Sequence, residues 1–156
     1  MQQIRDFKIQ REDFNEVKDQ VDELTHKNWE DTGLSKYGIK LNPDWDIYET
    51  LNKSYMLGVY TVRKQNNLVG YLTVVSREHH HYKNTVFASN DILFIEKEHR
   101  KGLLGYFLVK YAVKDLKDLG ADVILFTSNI DKPYDSILKR LDFQPLEKVF
   151  IKKLGD

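Results

Sequence analysis

The chain reads as a single domain of the α/β (α+β) class, with a mostly antiparallel sheet in front and a strand–turn–helix–strand unit behind. Three observations carry this. A length of 156 residues suits one compact domain. Apolar residues at helical spacing interchange with short runs rich in Val, Ile, Tyr and Thr. A nearly all-apolar run, Ile92 to Ile95, leads into a glycine-bearing turn and a long helix, as expected of a strand covered on both faces at the centre of a sheet.

Taken in order, Ile4 to Ile9 predicts a short first strand. Asp13 with Glu16 forms a capping pair, and Phe14, Val17, Val21 and Leu24 recur at helical spacing up to His26–Trp29. Residues 28–42 read as a loop. Asn42-Pro43 predicts the start of a helix, with Trp45, Tyr48, Leu51 and Tyr55 on one face, either as core or as the wall of a substrate cleft. Leu57 to Arg63 and Leu68 to Ser76 form a hairpin around Gln65-Asn66-Asn67. The polar stretch Arg77 to Asn84 then leads into a strand from Thr85 to Glu96. The long helix carries Leu104, Phe107, Leu108 and Tyr111 on its packed side and stops at Leu119-Gly120. Val123 to Phe126 is a short buried strand. Asp131-Lys132-Pro133 opens a last helix with Tyr134, Ile137, Leu138 and Leu141 on one face, and Val149 to Lys153 reads as a closing strand. No repeat, linker or low-complexity stretch divides the chain, so residues 1–156 form one domain.

With 41% hydrophobic residues a substantial core can form, and 31% charged residues can solvate the surface. The formal net charge is zero, which argues against a general nucleic-acid coat. Cysteine is absent, which excludes disulfides, a thiol nucleophile and thiolate-bound zinc together. With no apolar leader and no run of membrane-spanning length, the expectation is a soluble, cytoplasmic protein.

The most informative stretch is Asp91 to Gly105. The first turn of a helix has amides without intrahelical partners, and the helix dipole adds partial positive charge there. Arg100 and Lys101 bring full charges, and Gly102 and Gly105 let backbone approach a ligand closely. A phosphate or pyrophosphate suits such a turn.

Together with the element order, this stretch resembles the GNAT-type N-acetyltransferase family, and the resemblance extends over nearly the whole chain. In that family a strand leads into an Arg/Gln-x-x-Gly-x-Gly/Ala turn whose amides hold the pyrophosphate of acetyl-CoA. The matching hexad is Arg100-Lys101-Gly102-Leu103-Leu104-Gly105. Its ends fit, but Leu103 stands at the middle glycine and Gly102 lies one place early. Leu141-Asp142-Phe143 resembles the family's late Gly-Phe pair, with Asp142 in the glycine position. The arrangement also looks similar to a group of phage-encoded GNAT-like proteins.

The resemblance implies a GNAT-like sheet flanked by about four helices, acetyl-CoA as cofactor and an amine acceptor. It implies cofactor contacts from the main chain of Leu93, Phe94 and Ile95 and from the turn residues 100–105. Acetyl transfer needs a proton acceptor for the amine, a donor toward the thioester oxygen and an acid for the leaving thiolate. Asp91 is the candidate base, expected by period-two alternation to point the same way as Leu93 and Ile95; a strand-end residue bonded to a loop is its other reading. Glu96 ranks below it. The family's tyrosine acid, five residues before the Phe, falls on Leu138. Tyr134, one turn earlier, can substitute or simply pack. Ser128 and Asn129 end a strand beside the cofactor cleft, Asn129 either touching the pantetheine arm or capping a turn.

His79, His80 and His81 suit a solvated hairpin end; a metal, a base or an anion contact are alternatives. No metal ligand set is assigned. His99 sits in the turn and can hold phosphate when protonated. The function expected is transfer of an acetyl group from acetyl-CoA to a primary amine. Alternatives are a GNAT-fold binding module with reduced catalysis, suggested by the altered glycine and the missing tyrosine, and an enzyme acting on nucleic-acid bases. The acceptor and any oligomeric state are left open by the sequence.

Overall fold

The structure is a computed structural model describing residues 1–29, 33–100 and 102–155. Its elements are β1 (Gln2–Ile4), β2 (Phe7–Glu12), α1 (Phe14–Trp29), α2 (Trp45–Lys53), β3 (Leu57–Lys64), β4 (Asn67–His79), β5 (Tyr82–Ile95), α3 (Leu104–Asp118), β6 (Val123–Leu125) and α4 (Asp135–Arg140). Short 3-10 turns occupy Gly33–Tyr37 and Lys97–His99. The strands form one sheet in chain order, and every neighbouring pair is antiparallel except β5 and β6, which run parallel. No helix among the described residues is long and apolar enough to cross a membrane.

Each face of the sheet buries its own cluster. On one, Phe14, Val17, Val21 and Leu24 of α1 meet Leu57, Val59, Tyr71 and Phe94, with Trp45, Tyr48 and Leu51 of α2 packed alongside. On the other, Leu104, Leu108, Ala112 and Leu116 recur every four residues along α3 and cover Ile9, Tyr60, Val62, Leu72 and Val74. The expected helix faces are these two layers. Among the described residues no buried side-chain polar atom lacks a partner. Thr25, for example, bonds the Tyr71 hydroxyl at 2.8 Å, and Tyr60 donates to Asp115 at 3.0 Å.

Several element boundaries differ from the sequence expectation. The first strand is two, because Arg5 adopts φ 52° and turns the chain back so that Ile4 pairs with Phe7. The cap of α2 is Asp44 rather than Asn42: its carboxylate accepts from Ile47 N at 3.2 Å. Tyr55 leaves the α2 face, with φ 57° and 89% exposure. The third hairpin closes at His80-His81, so β4 and β5 run further out than the polar composition suggested. Helix α4 begins at Asp135, with Tyr134 as its N-cap residue. The closing strand at Val149–Lys153 is absent: residues 143–155 form no regular element, and Val149 and Phe150 are exposed.

Two helix ends explain sequence signals physically. Gly120 takes φ 93° just after α3. Asp142 takes φ 62° just after α4, so its position requires the left-handed conformation that glycine adopts without cost. Phe143 N then donates to Leu138 O at 3.0 Å, and the Phe143 ring packs edge-on against Phe126 at 5.4 Å.

Gly105 has a structural reason different from the expected one. A Cβ there would come within 3.0 Å of Ile137 Cδ1 and 3.7 Å of Ile95 Cδ1. The missing side chain lets α3 close on α4 and β5. Gly105→Leu is expected to cost about 1–3 kcal/mol by overpacking, and Ile137→Ala in the same chain to recover part of it, measured by denaturant unfolding.

Glu12 and Arg63 form a two-pronged pair across β2 and β3, with Nε to Oε2 at 2.9 Å and Nη2 to Oε1 at 3.1 Å. Burial alone would raise the Glu12 carboxyl, but hydrogen bonds from Arg63 and Thr61 outweigh it and hold the group below its ordinary value. A carboxyl depressed on folding stabilises the native state above its unfolded value and loses that contribution as pH falls through the folded one. Wild-type stability should therefore drop more steeply than that of Glu12→Gln below about pH 4.3, in chemical denaturation run across acid pH.

Candidate active site

The sheet opens between β5 and β6. Phe87, Ala88 and Ser89 pair with Val123, Ile124 and Leu125, and the register stops there. The next residue, Asn90, bridges the widening gap with its side chain. Its Oδ1 accepts from Thr127 N at 2.7 Å and its Nδ2 donates to Thr127 O at 3.3 Å. An amide side chain thus takes over from the backbone ladder. Beyond it, among the described residues, Leu93, Phe94 and Ile95 have β4 on one side and no strand on the other, although the Ile95 carbonyl accepts from the Arg100 side chain. An extended ligand can bond such an edge as a strand would.

Asp91 is the extra residue of a bulge. Thr73 pairs with Ile92 and Val74 with Asn90, leaving Asp91 unopposed. The bulge overturns the expected alternation. Leu93 and Ile95 pack toward α3, whereas the Asp91 carboxylate points to the α2 side. There Oδ2 accepts a short hydrogen bond from the Tyr48 hydroxyl and one from Thr73 Oγ1 at 3.2 Å. Asp91 is nonetheless exposed, so the carboxylate is both fixed and reachable. Burial, followed by the Asp91 charge and hydrogen bond, pushes the Tyr48 phenol well above its ordinary value, so Tyr48 remains a donor.

Tyr134 lies on the other side of β5. Its hydroxyl donates a short hydrogen bond to Thr127 O and accepts from Asn90 Nδ2 at 3.2 Å. Burial raises the phenol and the Asn90 bond lowers it, and the result is pushed up to about 12. Ser128 is held at the start of α4: its hydroxyl donates to Asp135 Oδ1 at 2.6 Å and accepts from Tyr134 N at 3.1 Å. Asn129 Oδ1 accepts from Asp131 N at 2.8 Å, which is the turn-capping arrangement.

The turn before α3 retains the features of an anion site, with changes. Leu103 is the N-cap residue and supplies no side-chain cap, so the first amides of α3 have no partner from it. Gly102 adopts φ 97°, and nothing lies within 4 Å of where its Cβ would be. Leu103 is exposed while Leu104 is buried in the α3 layer. Arg100 turns back: Nε donates to Ile95 O at 2.6 Å, and the guanidinium lies over the Phe94 ring at 5.3 Å. Part of the charge expected at the turn therefore braces the end of β5. Lys101 lies outside the described residues. His99 packs edge-on against Phe7 at 5.4 Å and lines a cleft of about 700 Å³ along α1 and the β3–β4 turn.

Glu96 lines that same cleft and pairs with Lys27 at 3.0 Å, away from Asp91. Ligand atoms of Glu96, Glu98 and His99 lie within 4.8 Å of one another, with the Lys27 ammonium already on Glu96. The histidine hairpin is an aromatic tip, where His79 packs on Phe87 at 4.5 Å and on Tyr82 at 4.8 Å. Of the residues expected at the site, β5 brings Asp91 and Leu93 to Ile95 together, and Asn90 ties Tyr134 to them. Tyr48, expected as core or as a cleft wall, also bonds Asp91, and Thr73 and Asn90 join the site without a sequence expectation. The available signal was the polar run Ser89-Asn90-Asp91 directly before the apolar Ile92 to Ile95.

No family model matches the chain, and no curated protein sequence is similar to it. Solved structures are similar over nearly its full length. An aminoglycoside acetyltransferase from an uncultured soil metagenomic sample, in complex with sisomicin, is 17% identical with a TM-score of 0.73, over 96% of this chain and 97% of that one. A predicted acetyltransferase with acetyl-CoA from Clostridium acetobutylicum is 12% identical with a TM-score of 0.69, over 94% and 96%. A transcriptional regulator from Bacillus halodurans C-125 is 16% identical with a TM-score of 0.72, over 95% and 99%. Over nearly its whole length the chain shares the fold of these solved structures, which is the GNAT-like fold that the resemblance implies.

Proposed function

We propose that the chain is an acetyl-CoA-dependent N-acetyltransferase acting on a primary amine. The observation that carries this reading is the pair of adjacent β5 residues at the sheet opening. Asp91 presents a carboxylate on the α2 side, and Asn90 ties a tyrosine hydroxyl to the β6 side. A proton acceptor and a proton donor on opposite sides of one strand suit a transfer in which the amine loses a proton and a thiolate gains one. The fit to the cofactor rests on the strand-free edge of Leu93 to Ile95, where Arg100 would have to release the Ile95 carbonyl for a ligand to bond it, on the left-handed Gly102 and on the α3 amides not capped by the Leu103 side chain. Bound there, acetyl-CoA supplies a thioester carbonyl to the amine.

In this reading Asp91 takes the amine proton. The first turn of α3 and the residues from Arg100 to Gly105, Lys101 included, hold the pyrophosphate; Gly105 contributes backbone only. Tyr134 keeps its proton at neutral pH, and rotation of the hydroxyl away from Thr127 O directs that proton to the leaving sulfur. Ser128 positions Tyr134 through its backbone nitrogen, and Asn129 offers its amide nitrogen to the cofactor arm. A cytoplasmic location accords with a cofactor of this kind. The transcriptional regulator among the neighbours supports a second reading, a binding module on the same fold.

Calorimetric titration with acetyl-CoA separates the two: binding is expected, and no heat at about 1 mM ligand would remove the enzyme reading. Thiol release should then be followed with sisomicin, spermidine and an alanine-initiated peptide as acceptors. Asp91→Asn is expected to lower kcat by about 10²–10⁴-fold with cofactor affinity retained. Because the Tyr134 phenol is pushed up to about 12, its ionisation should cause no fall in rate up to about pH 10.

A further inference from the structure

Tyr48 is the side chain that the acyl-transfer reading does not yet use, and its placement is specific. It sits on α2, with its ring stacked on Phe14 at 5.5 Å and set edge-on to Trp45 at 5.1 Å. The helix is itself anchored: Trp45 Nε1 donates to Asp22 at 3.2 Å, and Lys18 pairs with Glu49 at 2.7 Å. An aromatic ring packed this way has little rotamer freedom, so its hydroxyl is delivered to one point. That point is Asp91 Oδ2. Thr73 Oγ1 reaches the same oxygen from β4, and itself accepts from Ile92 N at 3.2 Å, which locks its rotor.

Both donors converge on Oδ2, and among the described residues no donor reaches Oδ1. A carboxylate with one oxygen held twice and the other free is oriented as well as placed. The other phenol that senses the Asp91 charge is Tyr71 on β4, which also senses Asp22 of α1 and keeps its own bond to Thr25. It therefore does not compete for Oδ1.

We propose that Tyr48 is a positioning residue for acyl transfer: with Thr73 it clamps Asp91 Oδ2, so that Oδ1 is the oxygen left to take the proton from the acceptor amine. This rests on Asp91 being the proton acceptor. In that step the new N–C bond forms, the C–S bond breaks, the amine proton passes to Oδ1, and the thiolate takes the Tyr134 proton.

Tyr48→Phe removes the hydroxyl and keeps the ring against Phe14 and Trp45, so the fold should survive. In protein carrying ¹³C at the aspartate carboxyls, with the Asp91 signal identified by its loss in Asp91→Asn, the Asp91 resonance is expected to shift in Tyr48→Phe. An unshifted resonance would overturn the clamp, whether or not any acceptor is turned over. With the fastest acceptor among sisomicin, spermidine and the alanine-initiated peptide, Tyr48→Phe should lower kcat by about three- to tenfold, the rate equivalent of one hydrogen bond, with KM for acetyl-CoA and Tm unchanged. In an Asp91→Asn background the same change should cost nothing more, since Tyr48 acts through Asp91. Full additivity of the two substitutions would overturn the proposal. Undiminished turnover in Asp91→Asn alone would instead remove the assignment of Asp91 as base.

Discussion

The site depends on where one pair of parallel strands stops pairing. β5 and β6 share three register positions, after which the amide side chain of Asn90 takes the place of main-chain hydrogen bonds to Thr127. A sheet that opens leaves backbone groups without their ladder partners, and a side chain can take the partner's place at the point of opening. Asn90 supplies both an acceptor and a donor there, which is what one peptide unit of a neighbouring strand would have supplied. Past that point β5 keeps β4 on one side and offers its other edge. The bulge at Asp91 lies at the next residue, so the same short stretch opens the sheet and reverses the direction of a carboxylate.

The two faces of the sheet divide the chemistry. The face covered by α1 and α2 carries Asp91, Tyr48 and Thr73, and the face covered by α3 and α4 carries the turn and Gly105. Both layers are packed for ordinary reasons: apolar residues recur at helical spacing, and the buried hydroxyls of Thr25, Tyr60 and Tyr71 have partners. The proposed chemistry then rests on few polar atoms, each placed by a packed ring or a paired strand. The economy of the turn before α3 is of the same kind. One glycine takes a left-handed φ and the other removes a side chain from a helix contact, so two similar letters do different work.

The fold was legible in the sequence to a large extent because its signals are local. Helical spacing identified α1 and α3, and Gly120 marked the end of α3. Asp142 standing where the family has glycine proved to be a conformational position, since the residue takes φ 62°. The site was legible by position more than by geometry. Asp91, Tyr134 and Leu93 to Ile95 do border the opening, but the direction of Asp91 was misjudged because alternation assumes an unbroken ladder. Arg100 folding onto Phe94, and His99 onto Phe7, were equally out of reach, since both depend on partners brought near by tertiary packing.

By itself the sequence determined the element order, the two apolar helix faces and the turn that opens α3, because period and turn chemistry are properties of neighbouring residues. Only the tertiary structure decided that Asn90 bridges to Thr127, that Asp91 is a bulge residue held by Tyr48 and Thr73, and that Gly105 faces Ile137. Each of these is a meeting of atoms distant along the chain, and such meetings follow from register and helix docking, which no local pattern records.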